Sequence, residues 1–130
     1  MKKAPEKFVV MAAILIFSLC LLLSCGGPNP FVEYQNAKNQ FEAKVEMLEK
    51  ISSALSRDAG YVDKLSPQDY KICYHIFWGD GNKEVENVRV LAENIGRQDE
   101  YNKWLARMLE RIARCGNVRQ KIEESLSRSK

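Results

Sequence analysis

Apolar residues recur every three or four positions through most of the chain, which is the spacing of one face of an α-helix. The longest such pattern lies within residues 31–57, where the steps between apolar residues are 3, 4, 4, 3, 3 and 4. Its members are Tyr34, Ala37, Phe41, Val45, Leu48, Ile51 and Leu55. No glycine or proline interrupts the segment. It predicts a helix of about seven turns, which serves as the spine of a bundle or associates with a second copy.

A second helix is predicted after Ser66 and Pro67, because serine caps helix starts and proline fits the first helical position. Its sequence YKICYHIFW, at residues 70–78, is the most apolar stretch that follows residue 30. Such a helix has little polar surface, so we expect it to be buried on several sides.

Three further helices complete the pattern. A glycine-rich turn precedes a helix over about 83–94, with Asn82 as its expected cap and Gly96 as its stop. The next helix is predicted over about 99–115, with Gly116 as its stop, and residues 117–130 form a short fifth helix. No segment alternates apolar and polar residues as a strand does. The sequence therefore predicts an all-α bundle of four to five helices.

The start of the chain has a different character. Three lysines lie within residues 1–7, and residues 8–24 contain no charge, glycine or proline. This is the layout of a secretory signal peptide, although the apolar run also reaches the lower limit of a membrane-spanning helix. The run stops at Cys25, which is followed by two glycines.

The segment Leu22-Leu23-Ser24-Cys25 resembles the lipobox of bacterial lipoproteins. The resemblance implies that residues 1–24 are removed and that Cys25 carries acyl chains such as palmitate, which hold the protein on a membrane without spanning it. Gly26 stands where inner-membrane lipoproteins of diderm bacteria tend to have Asp, so the resemblance favours the outer membrane of the cell envelope. Residues 25–30 would then be a lipidated Gly/Pro tether, and residues 31–130 a single helical domain. An uncleaved membrane helix is the alternative.

Removal of residues 1–24 takes away three lysines and one glutamate, which lowers the formal net charge from +3 to +1. This balance gives no indication of nucleic-acid binding. Residues 97–130 are more basic, with nine Lys or Arg against five Asp or Glu. They either face anionic head groups or form a solvated surface of mixed charge.

Cleavage would also leave Cys73 and Cys115 as the two cysteines that are not lipidated. An even pair in an exported, oxidising setting predicts a disulfide between the second helix and the end of the fourth. A buried pair of free thiols is the alternative. Two cysteines and one histidine offer no ligand set with zinc spacing, so no metal is expected.

The sequence contains no arrangement that favours catalysis. His75 is the only histidine and lies among apolar residues, where a core position with one hydrogen bond is the simplest interpretation. We therefore expect no enzymatic activity and no cofactor.

The aromatic residues of the second and fourth helices have two interpretations. Most have the spacing of core residues, whereas Trp78, Tyr74 and Trp104 are candidates for an interface, because Trp and Tyr are favoured there. The resulting prediction is a membrane-anchored lipoprotein that acts as a protein-interaction or adaptor module in the cell envelope. The alternative is a ligand-binding or inhibitory lipoprotein, with an apolar groove for a lipid, a peptide or a target enzyme.

Overall fold

A computed structural model describes residues 29–128. Within this range the chain forms five α-helices and one 3₁₀ helix, with no strand. In chain order they are α1 (Pro30–Arg57), the 3₁₀ helix (Ala59–Lys64), α2 (Pro67–Phe77), α3 (Gly81–Asn94), α4 (Gln98–Ala113) and α5 (Gly116–Arg128). The predicted all-α bundle is confirmed. The predicted signal peptide, Cys25 and the tether as far as residue 28 lie outside the described residues.

The ends of the helices agree with some of the predicted capping and stop residues and not with others. The Ser66 Oγ accepts a hydrogen bond from the Asp69 backbone N–H at 3.1 Å, as predicted. Asn82 is not a cap, because α3 already begins at Gly81 and its cap residue makes no side-chain bond. Gly96 ends α3 with a φ of 70°, as its position predicts. Gly116 begins α5 instead of ending α4.

The long helix α1 is the spine of the bundle. Six of its seven predicted apolar residues are buried, and Ala37 is partly buried. Side-chain bonds from Tyr34 to Glu100 and from Arg111 to Glu49 show that α4 runs parallel to α1. The apolar stripe that suggested self-association through residues 31–57 is therefore turned into the domain.

The buried residues form two clusters along α1. The first contains the Tyr34–Val45 half of the α1 stripe together with α3 and α4, and the second contains the Leu48–Leu55 half together with α2 and α5. Ile76 and Ile112 pack against both clusters.

Cys73 and Cys115 both belong to the second cluster, and both are free thiols. The predicted disulfide is therefore wrong, and the alternative of a buried thiol pair holds. The Cys115 Sγ donates a hydrogen bond to the backbone oxygen of Arg111, which lies 3.3 Å away and four residues earlier in the chain. Burial raises the pKa of Cys73 to about 12 and also raises the pKa of Cys115. Each thiol is therefore a small apolar core residue.

Candidate interaction surface

The most apolar helix of the domain is only half buried. We expected α2 to be covered on several sides, but Cys73 is its only fully buried residue, and Tyr74 is 48% exposed. The helix packs on α1, α3 and α5. Tyr74 projects from the side that these helices leave open, whereas Tyr70, Phe77 and Trp78 are half-buried and pack against the second core cluster.

Three aromatic residues form a continuous ridge, whose centre Tyr74 is exposed and whose ends Tyr70 and Trp78 are half-buried. Tyr70, Tyr74 and Trp78 are spaced four residues apart, which places them one above the other on a helix. Their ring centroids are 6.5 Å and 5.9 Å apart, and the two tyrosine rings are stacked. We call these three residues the aromatic ridge.

The Trp78 end of the ridge is held by contacts from two directions. The Phe77 ring meets the indole edge-on, with the ring centroids 5.6 Å apart. From α5, the Arg119 guanidinium carbon lies 5.8 Å from the indole centroid, within the range of a cation–π contact. Arg119 also pairs with Glu123 on its own helix, with its Nε 3.1 Å from Glu123 Oε1. These contacts hold the Trp78 end of the ridge in place.

A groove lies on each side of the ridge. One, of about 370 Å³, runs from Tyr70 to the turn at Gly79, and the other, of about 540 Å³, lies between α2, the 3₁₀ helix and α5. Both are open to solvent. Lys71 borders both grooves and forms no ion pair with any of the described residues. The grooves therefore combine apolar walls with an available cation.

A polar network fixes α2 against its neighbours. The His75 Nε2 lies 3.2 Å from Glu84 Oε2 on α3, and the Lys44 Nζ on α1 donates to the same carboxylate at 2.5 and 2.7 Å. The imidazole therefore makes an interhelical bond at the edge of the first groove. This arrangement helps to hold α2, and with it the ridge, against α1 and α3.

The three predicted interface residues have different environments. Tyr74 and Trp78 lie together in the ridge, whereas Trp104 is completely buried. Its ring packs edge-on against Phe41, and its Nε1 donates to the Glu42 carboxylate at 2.7 Å. Trp104 is therefore a core residue, and the interface prediction is wrong for it.

Sequence reasoning did not single out Tyr70 as an interface residue. Its signal is the four-residue spacing to Tyr74, which places the two rings on one face once the helix is established.

Among residues 29–128, no helix has both the length and the apolar character needed to cross a bilayer. The same residues bring together no group of three His, Cys, Asp or Glu side chains suited to holding a metal ion. Comparison of the chain with protein-family models, curated proteins and solved structures finds no match.

Proposed function

We propose that this protein is a lipid-anchored interaction module of the bacterial cell envelope. Its anchor is the acylated Cys25, and its docking surface for a second envelope protein is the aromatic ridge of α2. The observation that carries the proposal is the exposure of Tyr74 in the most apolar helix of the domain. A helix of this composition leaves aromatic side chains in water at a cost, which a partner that covers them would remove.

The chemistry of the ridge favours a protein partner. Tyrosine and tryptophan dominate binding energy at protein interfaces because they bury a large area and lose little side-chain freedom. Lys71 lies beside the ridge and, with no ion-pair partner among residues 29–128, complements an acidic group on a partner. The open shape of both grooves supports a protein or peptide over a lipid chain, which requires an enclosed cavity.

The anchor is tested by replacing Cys25 with alanine. The variant is expected to lose the acyl mass in mass spectrometry and to leave the membrane fraction, because two or more acyl chains are needed for stable attachment. Persistent membrane retention of Cys25→Ala would contradict the lipid anchor and favour an uncleaved membrane helix.

The docking surface is tested by site-specific photo-crosslinking in intact cells. A crosslinker at position 71, beside the ridge, is expected to capture one dominant envelope protein, whereas one at position 109 is not. Leu109 is the matched control position because it is 56% exposed and belongs to α4.

Substitutions in the crosslinked protein supply the second comparison. Tyr74→Ala is expected to abolish the crosslink at position 71, since loss of a central aromatic anchor typically costs about 2 kcal/mol or more. Leu109→Ala is expected to leave it unchanged. Equal capture by the Tyr74→Ala variant, with unchanged circular dichroism, would refute the ridge as the docking surface.

A further inference from the structure

A second exposed apolar patch lies where α1 begins. Phe31 is 39% exposed and Val32 is 47% exposed. The Arg97 guanidinium carbon, from the turn between α3 and α4, lies 4.8 Å from the centroid of the Phe31 ring. We call Phe31, Val32 and Arg97 the α1 tip.

The α1 tip is built on a rigid frame. The Glu100 carboxylate accepts hydrogen bonds from the Tyr34 hydroxyl at 3.1 Å, from Lys38 Nζ at 2.9 Å and from Arg97 Nη1 at 2.9 Å. Tyr34 and Lys38 are both buried. These bonds join the start of α1 to the start of α4, so the exposed side chains of the tip keep a fixed arrangement.

The distance along the chain to Cys25 limits where the tip can lie. Five residue steps separate Cys25 from Pro30. At a maximum of about 3.6 Å for each step, their Cα atoms are within about 18 Å of each other. Acyl chains on Cys25 would hold that residue at the bilayer surface, so the tip, which directly follows Pro30, is held close to the lipid.

We infer that the α1 tip rests on the bilayer, with Phe31 and Val32 in the head-group region and Arg97 beside the lipid phosphates. This inference depends on the proposed lipidation of Cys25. Aromatic and aliphatic side chains together with arginine suit the membrane interface. Their apolar atoms contact the acyl chains, while the charged group stays hydrated.

The side-chain charges near the tip nearly cancel, so the tip is expected to contact the bilayer through its apolar residues and not through attraction to anionic lipid. Near the tip, the positive charges of Lys38 and Arg97 are balanced by Glu33 and by Glu100, with which both cations pair. The basic residues near the end of α4 lie elsewhere, since Arg111 pairs with Glu49 in the second half of α1. They therefore point away from the membrane.

This orientation sets the height of the aromatic ridge. The network of Lys44, Glu84 and His75 joins α2 to α1 at a level 14 residues beyond Pro30. At about 1.5 Å for each helical residue, that level is about 20 Å above the tip when α1 is directed along the bilayer normal. The ridge then faces the aqueous layer above the membrane, where a second envelope protein can reach it.

Fluorescence quenching by brominated lipid tests the contact. A chain of residues 25–130 is coupled through the Cys25 thiol to a maleimide lipid in phosphatidylcholine vesicles, so the test does not depend on lipidation in cells. The buried Cys73 and Cys115 are not expected to compete for the reagent.

The Phe31→Trp variant is expected to lose fluorescence to brominated acyl chains beyond the baseline set by Trp78 and Trp104. Arg57→Trp, at the far end of α1, is the matched control and is expected to stay at that baseline. Val32→Trp provides a second probe if the first substitution disturbs folding.

Two results would overturn the inference. Baseline quenching of both tip variants would show that the tip does not meet the lipid, whatever the state of Cys25 in cells. Quenching that requires added anionic lipid would show attraction to charged head groups in place of apolar contact. Equal quenching with and without anionic lipid supports the inference. A failure of lipidation in cells is detected separately, by the acyl mass of Cys25, and would count against the proposed function on which the inference depends.

Discussion

Replacing Glu100 with glutamine is expected to weaken the end of the domain where α1 begins. Glutamine keeps the shape of the side chain and one acceptor oxygen, but it removes the charge. The buried Lys38 ammonium would then lose its only ion-pair partner among residues 29–128, and Arg97 would lose its ion pair as well. A buried charge left without a partner is one of the larger penalties that a single substitution can impose.

The pKa of Glu100 sets the size of the effect. Hydrogen bonds from Lys38 and Arg97 are the main causes that lower this pKa from 4.5 to about 2. A difference of this size corresponds to about 3 kcal/mol of folding free energy if it is expressed in full. The Glu100 side chain is 36% exposed, so solvent screens the interaction, and we expect about 1–2 kcal/mol.

The pH dependence distinguishes this cause from a general loss of packing. A carboxylate with a lowered pKa contributes stability that is complete above pH 4.5 and is lost as the pH falls towards 2. Denaturant unfolding of the wild type and Glu100→Gln should therefore differ most above pH 5 and converge at low pH. Glu110→Gln, in an exposed pair with Arg114, is the control and should change little. A difference between wild type and Glu100→Gln that stays constant from pH 6 to pH 2 would refute the reasoning.

Two glycines and two thiols give the remaining predictions. Gly81→Ala is expected to lower the free energy of unfolding by about 1–3 kcal/mol, because its Cβ would lie 2.8 Å from the His75 backbone oxygen. Gly116→Ala, with nothing within 4 Å of its Cβ, is expected to raise that free energy by up to about 1 kcal/mol; equal effects in denaturant unfolding would contradict both expectations. Because burial raises the pKa of Cys73 and of Cys115, both thiols should react with a thiol reagent only in the unfolding transition, and rapid labelling of the native protein would disprove their burial.

The long helix α1 was predictable because its information is local and repeated. Seven apolar residues on one face, with polar residues elsewhere, specify both a helix and the side that it buries. The same reasoning places Trp104 in the core, since it belongs to a regular stripe with Tyr101 and Met108. Its selection as an interface residue relied on residue type and ignored that periodicity.

The exposure of α2 was not predictable in the same way. A helix that is apolar on most sides does not specify which side its neighbours cover, because that depends on how many helices are available to pack there. The structure places α1, α3 and α5 against α2 and leaves the side of Tyr74 open. Composition shows that the helix favours burial, whereas the topology decides which residues remain exposed.

Two further features, the turn between α2 and α3 and the state of the two cysteines, could not be predicted from the local sequence. At Gly81 the chain passes so close to the end of α2 that a Cβ would lie 2.8 Å from the His75 backbone oxygen, and α3 begins at this glycine and not after Asn82. Whether Cys73 and Cys115 form a disulfide depends on the distance and orientation of their side chains in the folded domain. An even count of cysteines does not give that geometry.

The division of the core into two clusters has a consequence for the motions of the protein. Among residues 29–128, Ile76 and Ile112 are the apolar side chains that pack against both clusters, and we expect the two clusters to open as separate cooperative units. Amide hydrogens of α1 after Leu48 should then exchange when the second cluster, which lies beneath the ridge, opens. Those near Tyr34, in the first cluster, should be protected until the whole domain unfolds. A ligand on the ridge would slow amide exchange in the second cluster first, while exchange in the first cluster would change little.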